Sequence, residues 1–104
     1  MGTTIRAQLS QKNKYYIDKH RHYELKHFCL QYPSWRRAYC LDKMEMLEQV
    51  AKDADQYLWE YILKAVTEGL SYTYLRTKLE IPCGRDMYYD RYRRFFWLLN
   101  KVRD

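Results

Sequence analysis

The stretch Glu68-Gly-Leu-Ser-Tyr-Thr-Tyr-Leu-Arg-Thr-Lys-Leu-Glu-Ile-Pro-Cys-Gly-Arg-Asp-Met-Tyr-Tyr-Asp-Arg-Tyr-Arg-Arg-Phe-Phe-Trp-Leu-Leu99 decides the fold. Gly69 is the residue able to take the left-handed conformation that follows a helix C-terminus, so a helix ends there. Ser71 is a side-chain cap for the next helix, 72–80, whose buried positions are Leu75 and Leu79. Ile81-Pro-Cys-Gly84 reads as a turn, with Gly84 as a permissive cap. A longer helix follows over about 85–102. At about 100° per residue, Tyr88, Tyr92, Phe95, Leu99 and Val102 fall within one sector of roughly 80°, and Trp97 lies nearly opposite. Short helix, turn, longer helix is the layout of a helix-turn-helix.

Upstream, Asp53-Ala-Asp55 is a polar break, and Asp55 is an N-cap for a helix carrying Leu58, Tyr61, Ile62, Ala65 and Val66 on one face. Trp35, Ala38, Tyr39, Leu41, Met44, Leu47 and Val50 recur at spacings of three and four, predicting one helix to about Lys52. Ile17, Leu25 and Phe28 mark another, best defined from Asp18 and broken by Pro33. Residues 1–12 are polar and unpatterned and are expected to fray. No strand alternation persists, and three Gly and two Pro leave little for the tight turns of a large sheet. The expected fold is all-α: a four- to five-helix bundle in a single domain over 1–104, with N-terminal helices in 13–54 and a helix-turn-helix unit in 55–104. Its expected core holds Trp35, Leu47, Leu58, Ile62, Leu75, Leu79, Tyr92, Phe95 and Leu99.

The 104 residues carry a net charge of +6, unevenly spread. Residues 1–40 hold eight Lys/Arg against two acids, 41–69 hold three against seven, and 70–104 hold eight against four. Two basic ends flanking an acidic middle suit a polyanion partner, with the middle turned away from it or toward a basic protein. Twelve Tyr and three Trp are the compositional oddity. Rings with one wet edge pack cores, and they also stack on bases.

A helix-turn-helix lays its first helix across the DNA backbone and its second in the major groove. Ser71, Thr73, Arg76 and Lys78 are therefore the candidate backbone contacts. Arg85, Tyr88, Tyr89, Arg91 and Arg94 are the candidates for groove and phosphates, since an Arg forks onto guanine O6 and N7 or bridges phosphates. The pattern Leu70-Ser-Tyr-x-x-Leu75-x-x-x-Leu79-x-Ile81-Pro-x-Gly84 resembles the DNA-binding helix-turn-helix of bacterial sigma factors. Cys83-Gly-Arg-Asp-Met-Tyr-Tyr89 followed by Arg91-Tyr-Arg-Arg94 resembles small prophage regulators of the ArpU and RinA type, and the segment Tyr16 to Trp35 is similar to prophage proteins of Gram-positive gut bacteria. The turn is about two residues longer than in those regulators, and Gly84 stands where Ser or Thr is commoner. The resemblance implies a cytoplasmic, prophage-type transcriptional regulator that binds double-stranded DNA without a cofactor. The alternatives are a phage-encoded module that docks on a host protein, RNA polymerase or a defence nuclease, and a small terminase-like protein of DNA packaging.

Other chemistry is thinly represented. His20, His22, Glu24, His27 and Cys29 cluster, but no second group has ligand spacing; they predict a wet basic face and no metal site. No phosphate loop, HExxH or supported Ser-His-Asp order occurs, so no catalytic residue is assigned. Asp86 suits the positive end of the last helix, and Asp90 is placed to pair with Arg94. Cys83, at a helix start, could be an activated thiolate through the helix dipole, but no His lies nearby in sequence and no catalytic role is assigned to it. Cys29, Cys40 and Cys83, an odd count without CxxC or a secretory signal, predict reduced thiols. No apolar run approaches the roughly 20 residues needed to span a membrane. Paired operator half-sites call for a homodimer, a larger assembly or a partner such as polymerase, with Trp97 and the Trp35–Leu47 helix as candidate self-association surfaces; the alternative is that these aromatics pack within one chain, Trp97 under the N-terminal helices.

Overall fold

Six helical segments run through the computed structural model, which describes residues 13–103: α1 Lys19–Cys29, α2 Tyr32–Arg37, α3 Leu41–Ala54, α4 Trp59–Glu68, α5 Tyr72–Lys78 and α6 Arg85–Val102. The fold is all-α, and no strand occurs among the described residues. The expectation for residues 1–12 lies outside them, as does Asp104.

Local chemistry sets most of the boundaries. Asp18 caps α1 by accepting the His20 amide at 3.0 Å. Ser71 caps α5 by accepting the Tyr74 amide at 3.1 Å. Gly69, at φ 71°, closes α4 in the left-handed conformation, and Leu70 donates back to the Ala65 carbonyl at 3.0 Å. Asp55 works one step differently from a simple cap. Its Oδ1 accepts the amides of Tyr57 and Leu58, folding a turn ahead of α4, which begins at Trp59.

One expected helix is two. The stretch from Trp35 to Lys52 breaks at Tyr39, whose φ of 58° is left-handed and whose side chain is 81% exposed. The amide of Cys40 turns back onto the Trp35 carbonyl at 2.8 Å, ending α2 before α3 starts. Neither Gly nor Pro marks that break, so local residue type does not announce it.

Helix α6 packs chiefly along α3, and α3 against α4; α1 and α4 complete the walls. Trp35, Leu47, Leu58, Ile62, Leu75, Phe95 and Leu99 are buried in one cluster as expected, with Leu79 and Tyr92 half-buried against it. Each large apolar side chain removed from water contributes about 1.5–3 kcal/mol. The α6 stripe is rotated from the expected one: Phe96 is buried at 1% exposure, while Val102 is 57% exposed. Helix α1 supplies the reason. His22 on α1 meets Phe96 edge-on, with ring centroids 4.8 Å apart, and Arg21 donates to Asn100 Oδ1 at 2.6 Å. A radius of gyration of 13.1 Å is that of a compact chain of this length.

Candidate nucleic-acid interface

Helix α5 is held by its inner face and presents its outer one. Tyr72 is the anchor: its ring packs against Tyr88 with centroids 5.5 Å apart, and its hydroxyl donates to the Cys83 carbonyl at 2.7 Å. Leu75 is fully buried, and its carbonyl accepts the amides of both Leu79 and Ile81. Glu80, at φ 53°, reverses the chain between them and lets Ile81 drop into the core. Left-handed backbone strains a residue with a Cβ, so the buried neighbours hold this connector in place.

Ser71, Thr73, Arg76 and Lys78 are all exposed, as is Arg85 in the first turn of α6. Arg76 and Lys78 make no ion pair among the described residues. The Arg85 guanidinium lies over the Tyr72 ring at 5.2 Å, which ties the start of α6 to the start of α5. Tyr74 on α5 and Met87 in the first turn of α6 are also open to solvent, at 41% and 47% exposure. Sequence reasoning passed over both, although Tyr74 stands four residues before Lys78, on the outer side of α5.

Between its first turn and its last two residues, α6 is enclosed. Every residue from Tyr88 to Asn100 is buried or half-buried, because α1, α3 and α4 cover it on successive sides. Tyr88 is a correction: at 1% exposure it is a core residue and does not stand on the outer surface that would face DNA. Tyr89 is half-buried, its ring edge-on to Tyr88 and Tyr92. Arg91 donates from Nε to Asp55 Oδ2 at 2.9 Å and also binds Asp90, and these bonds hold its proton more firmly than in a solvated Arg. Asp90 thus pairs with its immediate neighbour, not with Arg94. Arg94 instead reaches the Asp53 carbonyl and the Tyr15 hydroxyl, both at 3.4 Å. Arg91 braces α6 against the turn at Asp55, and Arg94 braces it against the end of α3 and the segment before α1.

Asp55 is the hub of that bracing, with a side chain only 8% exposed. Burial pushes its carboxyl up, but the Leu58 and Tyr57 amides and the Arg91 guanidinium outweigh this and hold it below the usual carboxylate value.

The histidine cluster, Cys83 and the tryptophans each take a definite place. His22 is a core residue, 3% exposed, its pKa lowered to about 4 by burial and by the nearby Lys26 charge, while His20 and His27 remain exposed. Among the described residues no three His, Cys, Asp or Glu side chains converge as metal ligands would. The Cys83 thiol is pushed up by burial and by Asp55 despite Arg76, opposite to an activated thiolate. Trp97 is half-buried between the Tyr15 ring at 5.5 Å and the Lys101 ammonium at 3.9 Å, and Trp35 is 5% exposed. The two surfaces expected for self-association therefore have their Trp side chains packed within the chain.

Among the described residues no helix is long and apolar enough to cross a membrane. Comparison with protein-family models, curated proteins and solved structures yields no match for this chain.

Proposed function

We propose that the chain is a double-stranded-DNA-binding regulator of the prophage type, needing no cofactor, whose α5–turn–α6 segment acts as a helix-turn-helix. The supporting observation is the outward face of that segment: Thr73, Arg76 and Lys78 on α5 and Arg85 at the start of α6 stand exposed on a connector fixed from within by Leu75, Ile81 and Tyr72. A recognition helix reads base edges with its N-terminal residues. The first turn of α6, beside α5, is exposed, so Arg85 takes the groove-facing role, and Arg91 and Arg94 become framework. Asp86 sits at the positive end of the α6 dipole and Glu80 in the connector; both keep this contact modest in charge.

Phosphate contacts release counterions, giving a slope of about −0.9 in log K against log salt per phosphate neutralised. Titration of a labelled duplex carrying the candidate promoter at several salt concentrations should give a slope of roughly −2 to −3 for the three cations. A flat, salt-independent titration would sink the reading.

A second reading has its own support. Tyr39 and Tyr57 are each 81% exposed and Leu41 57%, and aromatic side chains are typical anchors of protein interfaces. These residues fit a module docking on RNA polymerase or a defence nuclease. Capture of a host protein from a nuclease-treated lysate, lost in Tyr39→Ser/Tyr57→Ser, selects docking. A small terminase-like role shares the DNA contact and differs in its DNA target.

A further inference from the structure

A cleft of about 280 Å³ opens between α1, the end of α4 and the α5–α6 unit. We infer that it binds a small planar aromatic anion, a ring bearing a carboxylate and a hydrogen-bonding substituent. This inference does not depend on the DNA reading.

Three observations carry it. The first is a pair of unsatisfied groups in the cleft walls. His22 and Tyr88, 3% and 1% exposed, both line it, and neither the His22 Nε2 nor the Tyr88 hydroxyl finds a hydrogen-bond partner. A buried polar atom left unpaired is costly, and native structures hold few of them. His22 is neutral near pH 7, so its Nε2 and the Tyr88 hydroxyl offer uncharged partners to a polar ring substituent.

The second observation is the lining. Tyr88, Tyr92 and Phe96 form a continuous ring ladder along α6, with centroids 5.8 and 5.0 Å apart, and Tyr89 closes edge-on against it. Edges and faces so disposed favour an offset or edge-on ligand ring. A dry engineered cavity of about 150 Å³ holds benzene, so this cleft has room for a substituted ring.

The third is charge. Lys26 lines the cleft, and no Asp or Glu does among the described residues. An aromatic cage for a quaternary ammonium would gain from a carboxylate and lose from this Lys. The ammonium of Lys26 instead suits a carboxylate.

The test is amide NMR on the full chain titrated with 4-hydroxybenzoate, cyclohexanecarboxylate or phenyltrimethylammonium. We expect saturable shifts for 4-hydroxybenzoate at Gly69, Leu70 and Tyr88–Tyr92, with a dissociation constant of roughly 1 mM or tighter for a ligand of about ten non-hydrogen atoms. Cyclohexanecarboxylate, without a π face, and the cation should each bind at least about 5-fold more weakly. Lys26→Met and Tyr88→Phe should each weaken 4-hydroxybenzoate by roughly 5–10-fold. Tyr88→Phe should melt at or above the wild-type temperature, since it removes an unpaired buried hydroxyl. Lys26→Met, in which a half-buried residue loses only its charge, keeps the test readable if the core variant fails to fold. Absence of saturable shifts, equal binding of the cation or the saturated acid, or unchanged affinity in Lys26→Met would each overturn the inference.

Discussion

Arg85 and Arg91 stand six residues apart on one helix, yet they belong to different regions of the molecule. Arg85 opens α6 at the solvent-facing end, stacked on Tyr72, in a run from 71 to 87 whose buried residues are only Tyr72, Leu75 and Ile81. Arg91 lies where the helix is enclosed, locked to Asp55, a residue from the other side of α4. The residue type is the same and the surroundings decide its task. A guanidinium on the outer surface is available to phosphate, whereas one bound to a buried carboxylate stabilises the fold. A basic helix therefore cannot be read as a uniform contact surface.

The largest effect that separates the two regions is in stability. Phe95 is fully buried in the enclosed part of α6, and Met87 is 47% exposed in the open part. Phe95→Ala should cost about 3–5 kcal/mol in urea unfolding, whereas Met87→Ala should stay within about 0.5 kcal/mol. Similar losses in both would mean that the first turn of α6 is as enclosed as the rest.

Acid should act on the enclosed region next. The pKa of His22 is lowered from 6.5 to about 4 in the folded chain, so between those values the unfolded state binds more protons. Stability is complete above pH 6.5 and falls as pH drops toward about 4, by about 3 kcal/mol in all. His22→Phe should flatten the chemical-denaturation midpoint across that window; an unchanged slope would mean that His22 is not the titrating group. Asp55 acts lower. Its pKa is depressed from the ordinary 3.8, so the stability it contributes is present above that value and disappears only as pH falls through its folded pKa.

Asp55→Ala should cost about 2–3 kcal/mol, since it removes the acceptor of two backbone amides and the Arg91 partner together. Arg91→Ala, with a side chain 34% exposed, should cost nearer 1 kcal/mol. A double-mutant cycle measures their coupling, and zero coupling would dissolve the bracing assigned to α6.

What the sequence made legible follows the range of the interactions involved. Gly69, Ser71 and the start of α6 after Gly84 depend on neighbours within a few positions, and their boundaries agree with the structure. Most core positions of α4 and α5, and Tyr88, Phe95 and Leu99 on α6, followed from helical periodicity in the same way, whereas Phe96 and Val102 did not. The Asp55–Arg91 pair spans 36 residues, and no local pattern distinguishes it from the expected Asp90–Arg94 pair. His22 and Phe96 were misread for a related reason: each is buried by the other's helix, and neither helix alone shows that the other is there. The turn at Tyr39 was missed because a Tyr occupies a conformation usually given to Gly.

The central claim is that the outer arginines contact DNA while the inner ones hold the fold, and one crossed measurement tests it directly. Duplex affinity and melting temperature are recorded together for wild type, Arg76→Ala/Arg85→Ala and Arg91→Ala/Arg94→Ala, at several salt concentrations. The outer pair should lose roughly tenfold or more in affinity, flatten the salt slope by about 2, and melt like wild type. The inner pair should melt lower and, at temperatures where it is folded, bind with wild-type affinity and slope. Loss of affinity confined to the folded inner pair, with the outer pair binding as wild type, would contradict the account.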